Sequence, residues 1–241
     1  MLPIRDHNPS NRTPYVTWAL IAANVLVFIS YYGLFSDPRS LNLFFFTWGL
    51  VPARLEVDPE TILTSMFLHG GIMHLGGNML FLWIFGDNLE DELGHAPFLG
   101  FYLAGGAAAA LAQVWSDPGS VVPVVGASGA VAAVRGGYIL LFPKARVDVF
   151  VFYVLLPLRA WIVLGLWFAM QVFYGVAADP TGGGVAYWAH AGGFAAGLLM
   201  LIPLWLKLGA GGFWQRNDGH PPHPEAKYRM VRTHVPRVDR R

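Results

Sequence analysis

Long apolar runs leave this chain few choices of fold. They lie at Thr13–Gly33, Thr61–Gly86, Ala96–Trp115, Gly126–Phe142, Ala160–Gly175 and Val185–Lys207. A helix of about 20 mostly apolar residues matches the hydrocarbon thickness of a bilayer. In lipid every backbone N–H and C=O must find a partner inside the protein, and a helix supplies those partners locally. Composition agrees with lipid as the solvent. Of 241 residues, 55% are hydrophobic and 13% are charged, against about 25% charged in soluble domains. The expected fold is all-α, a membrane bundle of six transmembrane helices.

The connectors refine this picture. Residues 1–12 are polar and precede the first run, which reads as a retained span rather than a cleaved signal. Leu34–Glu60 is too broken by proline and charge to span, but its aromatics suit a segment lying in the membrane interface. Residues 208–241 form a basic tail, expected to be disordered. Lys and Arg in short loops set the orientation. With the N-terminus in the cytoplasm, Arg5, Arg12, Lys144, Arg146, Arg159 and Lys207 lie inside, and only Arg39 and Arg54 lie outside. Both termini are then cytoplasmic. The second, fourth and sixth runs enter from the outer side, which puts His74, Ser128 and His190 at one depth.

The totals exclude several chemistries. A net charge of +1 implies no nucleic-acid partner. The chain has no cysteine, so thiol nucleophiles, disulfides and cysteine-type zinc sites are absent. A site made of His69, His74 and His190 would lack a carboxylate or thiolate, and no HExxH occurs, so no metal or other cofactor is expected.

Ser128 stands in "GASGA", two residues after Gly126 and one before Gly129. At a helix start, unpaired N–H groups and the helix dipole favour negative charge beside such a serine. The same small residues would also make a close-packing face between membrane helices. His190, in "AHAGGFAAG", is an ionisable residue in an apolar run, and such residues usually face the bundle interior. Ala189, Gly193 and Gly197 recur every four residues beside it, a face that lets a neighbouring helix approach. If that neighbour is the fourth run, the imidazole can take a proton from Ser128. His74 and Asn78 are four apart and share a helical face, where both can donate to an oxyanion. Asn78 could equally be helix–helix glue. His69 faces elsewhere. No Asp or Glu lies in a span near these residues, so Ser128 and His190 would act as a dyad.

Together "HLGGN" (His74–Asn78), "GASGA" (Gly126–Ala130) and "AHAGG" (Ala189–Gly193) resemble the rhomboid family of intramembrane serine proteases, and "FLHGGIMHLGGNMLFLWIFGDNLED" is similar to its bacterial branch. The likeness covers about residues 13–207. It implies a six-helix rhomboid-like bundle in a bacterial plasma membrane. It implies Ser128 as nucleophile, His190 as general base, and His74, Asn78 and the loop at Gly126 as the oxyanion site. It implies transmembrane proteins as substrates, cut within or just outside their spans, and membrane lipid as the surroundings. The fifth run would form part of a lateral gate. Three features depart from the pattern, one being a first loop without the Trp-Arg pair found in some members. Ala132 stands where some members carry an aromatic against the histidine, and Arg135 in the fourth run has no obvious acidic partner. The competing readings are a catalytically silent rhomboid-like protein that binds membrane clients, and a transporter using the same cavity.

Overall fold

The computed structural model describes residues 2–177, 184–217, 224 and 226–228. The elements in chain order are β1 (Leu2–Asp6), α1 (Tyr15–Tyr31), α2 (Pro38–Trp48), α3 (Thr61–Thr64), α4 (Ile72–Leu93), α5 (His95–Ser116), α6 (Ser128–Leu141), β2 (Arg146–Val151), β3 (Val154–Arg159), α7 (Ala160–Ala177), α8 (Tyr187–Lys207) and α9 (Gly211–Asn217). Among the described residues, four helices are long and apolar enough to cross a membrane: α1 with the turn that follows it, α5, α7 and α8. The architecture is a multi-pass helical membrane bundle.

Shorter α6 occupies the middle. Every residue from Gly129 to Tyr138 is buried. It packs on α4, α5, α7 and α8. Small residues make the closest of these contacts possible. A Cβ added at Gly193 would collide with the carbonyl of Gly129, and one at Gly197 with the backbone of Ala133. In the other direction, a Cβ at Gly136 would strike the carbonyl of Phe194. The α6 and α8 backbones therefore touch, as the four-residue repeat in α8 led us to expect. Lipid tails supply no hydrophobic drive between helices, so this close van der Waals packing is what holds such a seam.

Both boundaries of the second run differ from the expectation, while the interfacial segment agrees with it. The helix of the second run begins at Ile72, because Gly70 and Gly71 interrupt it and Thr61–Phe67 form short separate turns. At its other end α4 continues through the acidic connector to Leu93. Glu90 explains why charge is tolerated there. Its carboxylate accepts the Val16 and Thr17 N–H groups, each at 2.8 Å, and so neutralises the free N-terminus of α1. Leu34–Glu60 holds the 11-residue α2, about 16 Å long and too short to cross.

A second difference is a small sheet, ordered β1–β2–β3 and antiparallel, with Pro3 opposite Val149 and Val147 opposite Leu158. It lies at the end of α6 remote from Ser128. Val147 and Val149 point into the core, and buried Asp148 is paired with Arg5 and His7. Tyr138 of α6 donates to Asp6 at 2.7 Å, which ties β1 to the bundle. The third concerns the tail. It opens with α9, whose Phe213 is buried and whose Trp214 donates to the Leu140 carbonyl. The Ala226 N–H reaches the His7 carbonyl at 3.0 Å. Residues 218–223, 225 and 229–241 lie outside the described residues.

Candidate active site

Ser128 is the first residue of α6. The chain reaches it through Gly126 at φ +131°, a backbone conformation side chains disfavour. Space demands glycine as well: a Cβ there would lie 2.7 Å from Cε1 of His74 and 2.8 Å from its Nε2. The loop is anchored from outside the helix. Leu50 and Val124 exchange backbone hydrogen bonds of 3.0 and 2.8 Å, and the Gly126 N–H donates to the Ser65 carbonyl at 2.9 Å. The segment containing α2 thus fixes the approach to Ser128. The first helical bond of α6 runs from the Val131 N–H to the Ala127 carbonyl. The N–H groups ahead of it are those a helix start leaves without helical acceptors.

His190, in the first turn of α8, meets this serine. Its Nε2 is 2.8 Å from Ser128 Oγ. Its Nδ1 is 2.7 Å from Oε1 of Gln171 on α7. The other end of the Gln171 amide donates to the Trp167 carbonyl at 3.5 Å, which turns the oxygen toward the ring. An amide oxygen only accepts, so Nδ1 carries the proton and Nε2 offers a lone pair to the serine hydroxyl. Trp167 flanks the imidazole, with ring centroids 5.8 Å apart. Gln171 and Trp167, both on α7, contact the imidazole, to which Ala132 offers no ring. Gln171 was missed in the sequence, although a lone glutamine in an apolar run is itself a signal.

His74 and Asn78 stand on the α4 face that looks toward Ser128. Nδ1 of His74 accepts the Gly70 N–H at 3.3 Å, so the proton sits on Nε2, the nitrogen beside Gly126. Asn78 is 5% exposed, and its Nδ2 has no hydrogen-bond partner. Ser128, His190, His74 and Asn78 line one cavity of about 670 Å³, together with Arg135 and Trp167. Gln113, Ser116 and Ser120 add polar groups to its lining. His69 lies outside it. That ring is fully buried, 5.1 Å from His74 and edge-on. A serine hydroxyl, an imidazole with its Nε2 lone pair turned to it and two side-chain N–H donors therefore face one space. This set of groups can carry out acyl transfer without a metal.

Residues 58–207 match the family model described as the Rhomboid domain. The chain belongs to the rhomboid family. It is 34% identical over 189 residues to "Rhomboid protein 1, mitochondrial" of Saccharomyces cerevisiae, covering 76% of this chain and 51% of that protein. It is 33% identical over 130 residues to "Rhomboid protease GluP" of Bacillus subtilis, covering 52% of this chain and 24% of that protein. Against "Rhomboid protease AarA" of Providencia stuartii the identity is 27% over 149 residues, 55% of this chain and 53% of the relative. The chain thus spans about half or less of the length of these relatives. Similar rhomboids include bacterial proteins and proteins named as mitochondrial, and this rhomboid is a multi-pass membrane protein.

Proposed function

We propose that this rhomboid is an intramembrane serine endopeptidase, with Ser128 as nucleophile and His190 as general base. The observation that carries the reading is the 2.8 Å contact between them, with Gln171 holding the other side of the imidazole. His190 Nε2 takes the hydroxyl proton as Ser128 Oγ attacks a substrate carbonyl. The oxyanion that forms is met by Nε2–H of His74, Nδ2 of Asn78 and the Ser128 N–H, with Gly126 keeping the loop clear. The imidazolium then gives its proton to the departing amine, leaving an acyl-serine. Water enters from the cavity, loses a proton to His190 and releases the new carboxylate, restoring Ser128.

The reading extends to topology. α4 and the short, buried α6 complete a set of six spans with α1, α5, α7 and α8. Both termini lie on the cytoplasmic side, and the membrane is a bacterial plasma membrane. Relatives bearing the name protease in two bacteria support the enzymatic reading, and relatives named as mitochondrial make a mitochondrial membrane the alternative location. Substrates are transmembrane segments, cut within the span or just outside it. Their carbonyls are hydrogen-bonded within the helix and must be freed by local unwinding, which helix-breaking residues ease.

The test is cleavage of a transmembrane reporter substrate in proteoliposomes. Ser128→Ala and His190→Ala should each abolish cleavage while the protein remains folded. Asn78→Ala should slow turnover by roughly tenfold to a thousandfold, the cost of losing one oxyanion donor. Retained cleavage by purified Ser128→Ala would refute the assignment.

A further inference from the structure

Arg135 has no part in the reaction described above, yet it lies in the wall of the same cavity. It follows Ser128 by seven residues, two helical turns, so it sits on the same face of α6 and about 10 Å deeper. Its guanidinium carbon lies 3.6 Å from the centre of the Phe81 ring and 4.2 Å from that of Trp167. The aromatic faces fix the plane of the guanidinium, but they do not use its N–H groups. The residue is 4% exposed, and its Nε has no hydrogen-bond partner. Among the described residues it makes no ion pair. A buried cation without an anion is costly, and cores rarely keep one. Trp167 also flanks His190, so one ring neighbours both the guanidinium and the imidazole.

We infer that Arg135 is a carboxylate-binding subsite, which selects substrates carrying Asp or Glu close to the scissile bond. The inference rests on the protease reading above. A planar fork of donors matches a carboxylate in geometry and charge. Stacked between Phe81 and Trp167, the fork is already oriented before the substrate arrives. Helical side chains lean toward the N-terminus, which brings the guanidinium back toward Ser128. An extended chain advances about 3.3 Å per residue, so the acidic residue falls within about three residues of the cleaved bond. A lipid phosphate is the weaker match, because the guanidinium faces the catalytic cavity and is shut off from the outer surface of the bundle.

The experiment measures binding apart from cleavage. Ser128→Ala protein in nanodiscs of neutral lipid is titrated with two fluorescent transmembrane peptides, differing only by Glu or Gln beside the cut site. The Glu peptide should bind roughly tenfold to a hundredfold tighter, the range for a hydrogen bond between charged groups. The ratio should fall to about one when Arg135→Met is added, and Arg135→Lys, which keeps charge without the fork, should fall between. Equal binding of the two peptides to the Ser128→Ala protein overturns the inference, whether or not the Arg135 variants fold. A lower affinity of Arg135→Met for both peptides alike, with the ratio kept, also overturns it and assigns Arg135 to helix packing. Parallel cleavage assays separate the two readings. Cleavage without Glu preference leaves the protease standing and removes the subsite. Glu preference without cleavage by the intact protein does the reverse.

Discussion

The seam between α6 and α8 and the seating of α7 are built in opposite ways. In the seam, glycines bring two backbones into contact, and no room remains for one added methyl group at Gly193, Gly197 or Gly136. On α7 the buried residues are Ala160, Leu164 and Gln171, and most of the helix faces outward. A Cβ at Gly165 would meet nothing within 4 Å. The seam carries Ser128 and His190, whose distance must not vary. The outer helix carries Gln171 and Trp167, which set the tautomer and plane of the imidazole. Position thus comes from the rigid pair and protonation state from the looser one. Ser128 and His190 meet across the α6–α8 seam, while the Gln171 contact to His190 depends on α7.

One substitution made in both places breaks the comparison most sharply. Gly197→Ala should cost roughly 3 kcal/mol or more of stability, because the methyl group collides with the Ala133 backbone and the helices must part. Thermal unfolding in detergent would show it, and activity should disappear with the seam. A stable, active Gly197→Ala protein would mean that the seam has slack. Next in size is Gln171→Ala. Loss of one buried hydrogen bond to the imidazole should lower kcat by roughly tenfold to a hundredfold, with KM and melting temperature little changed. An unchanged kcat would remove Gln171 from the mechanism.

Two smaller effects sharpen the contrast. Tyr138 fastens the lower end of α6 to Asp6, independently of α7. Burial, and then the charge of Asp87, hold the Asp6 carboxyl well above the ordinary carboxylate range, against the hydrogen bond from Tyr138. A raised carboxyl favours the fold fully below its ordinary value of 3.8, and that contribution is lost as pH rises through the folded value. Asp6→Asn should therefore raise the melting temperature more at pH 8 than at pH 4. A gain confined to acid would reverse the sign and contradict the account. Smallest is Gly165→Ala on α7, where an open site and better helix propensity predict a gain of about 0.5–1 kcal/mol and unchanged activity.

The difference between the regions also explains what could be read in the sequence. Close helix contact in lipid demands small residues at a fixed spacing, so Ala189, Gly193 and Gly197 mark a close-packing face in the sequence, without naming α6 as the partner. His74 and Asn78, four apart, announced a shared face. Gln171 announced only that something polar was buried. It sits on a different helix from every motif, and no periodicity says which neighbour an isolated side chain will meet. The sheet was hidden for a related reason. Leu2–Asp6 is far in sequence from Arg146–Arg159, and strand pairing between distant segments leaves no local mark. The acidic end of α4 read as a loop because Glu90 finds its partners on α1, at Val16 and Thr17.

The most direct test of the central claim needs no substrate. A fluorophosphonate probe, which reacts with activated serines, would be applied to the wild-type protein in proteoliposomes beside Ser128→Ala and His190→Ala. The account predicts labelling of the wild type, and its loss in both variants. A folded wild-type protein that takes no label would contradict it, and would leave a rhomboid that binds membrane clients without cutting them.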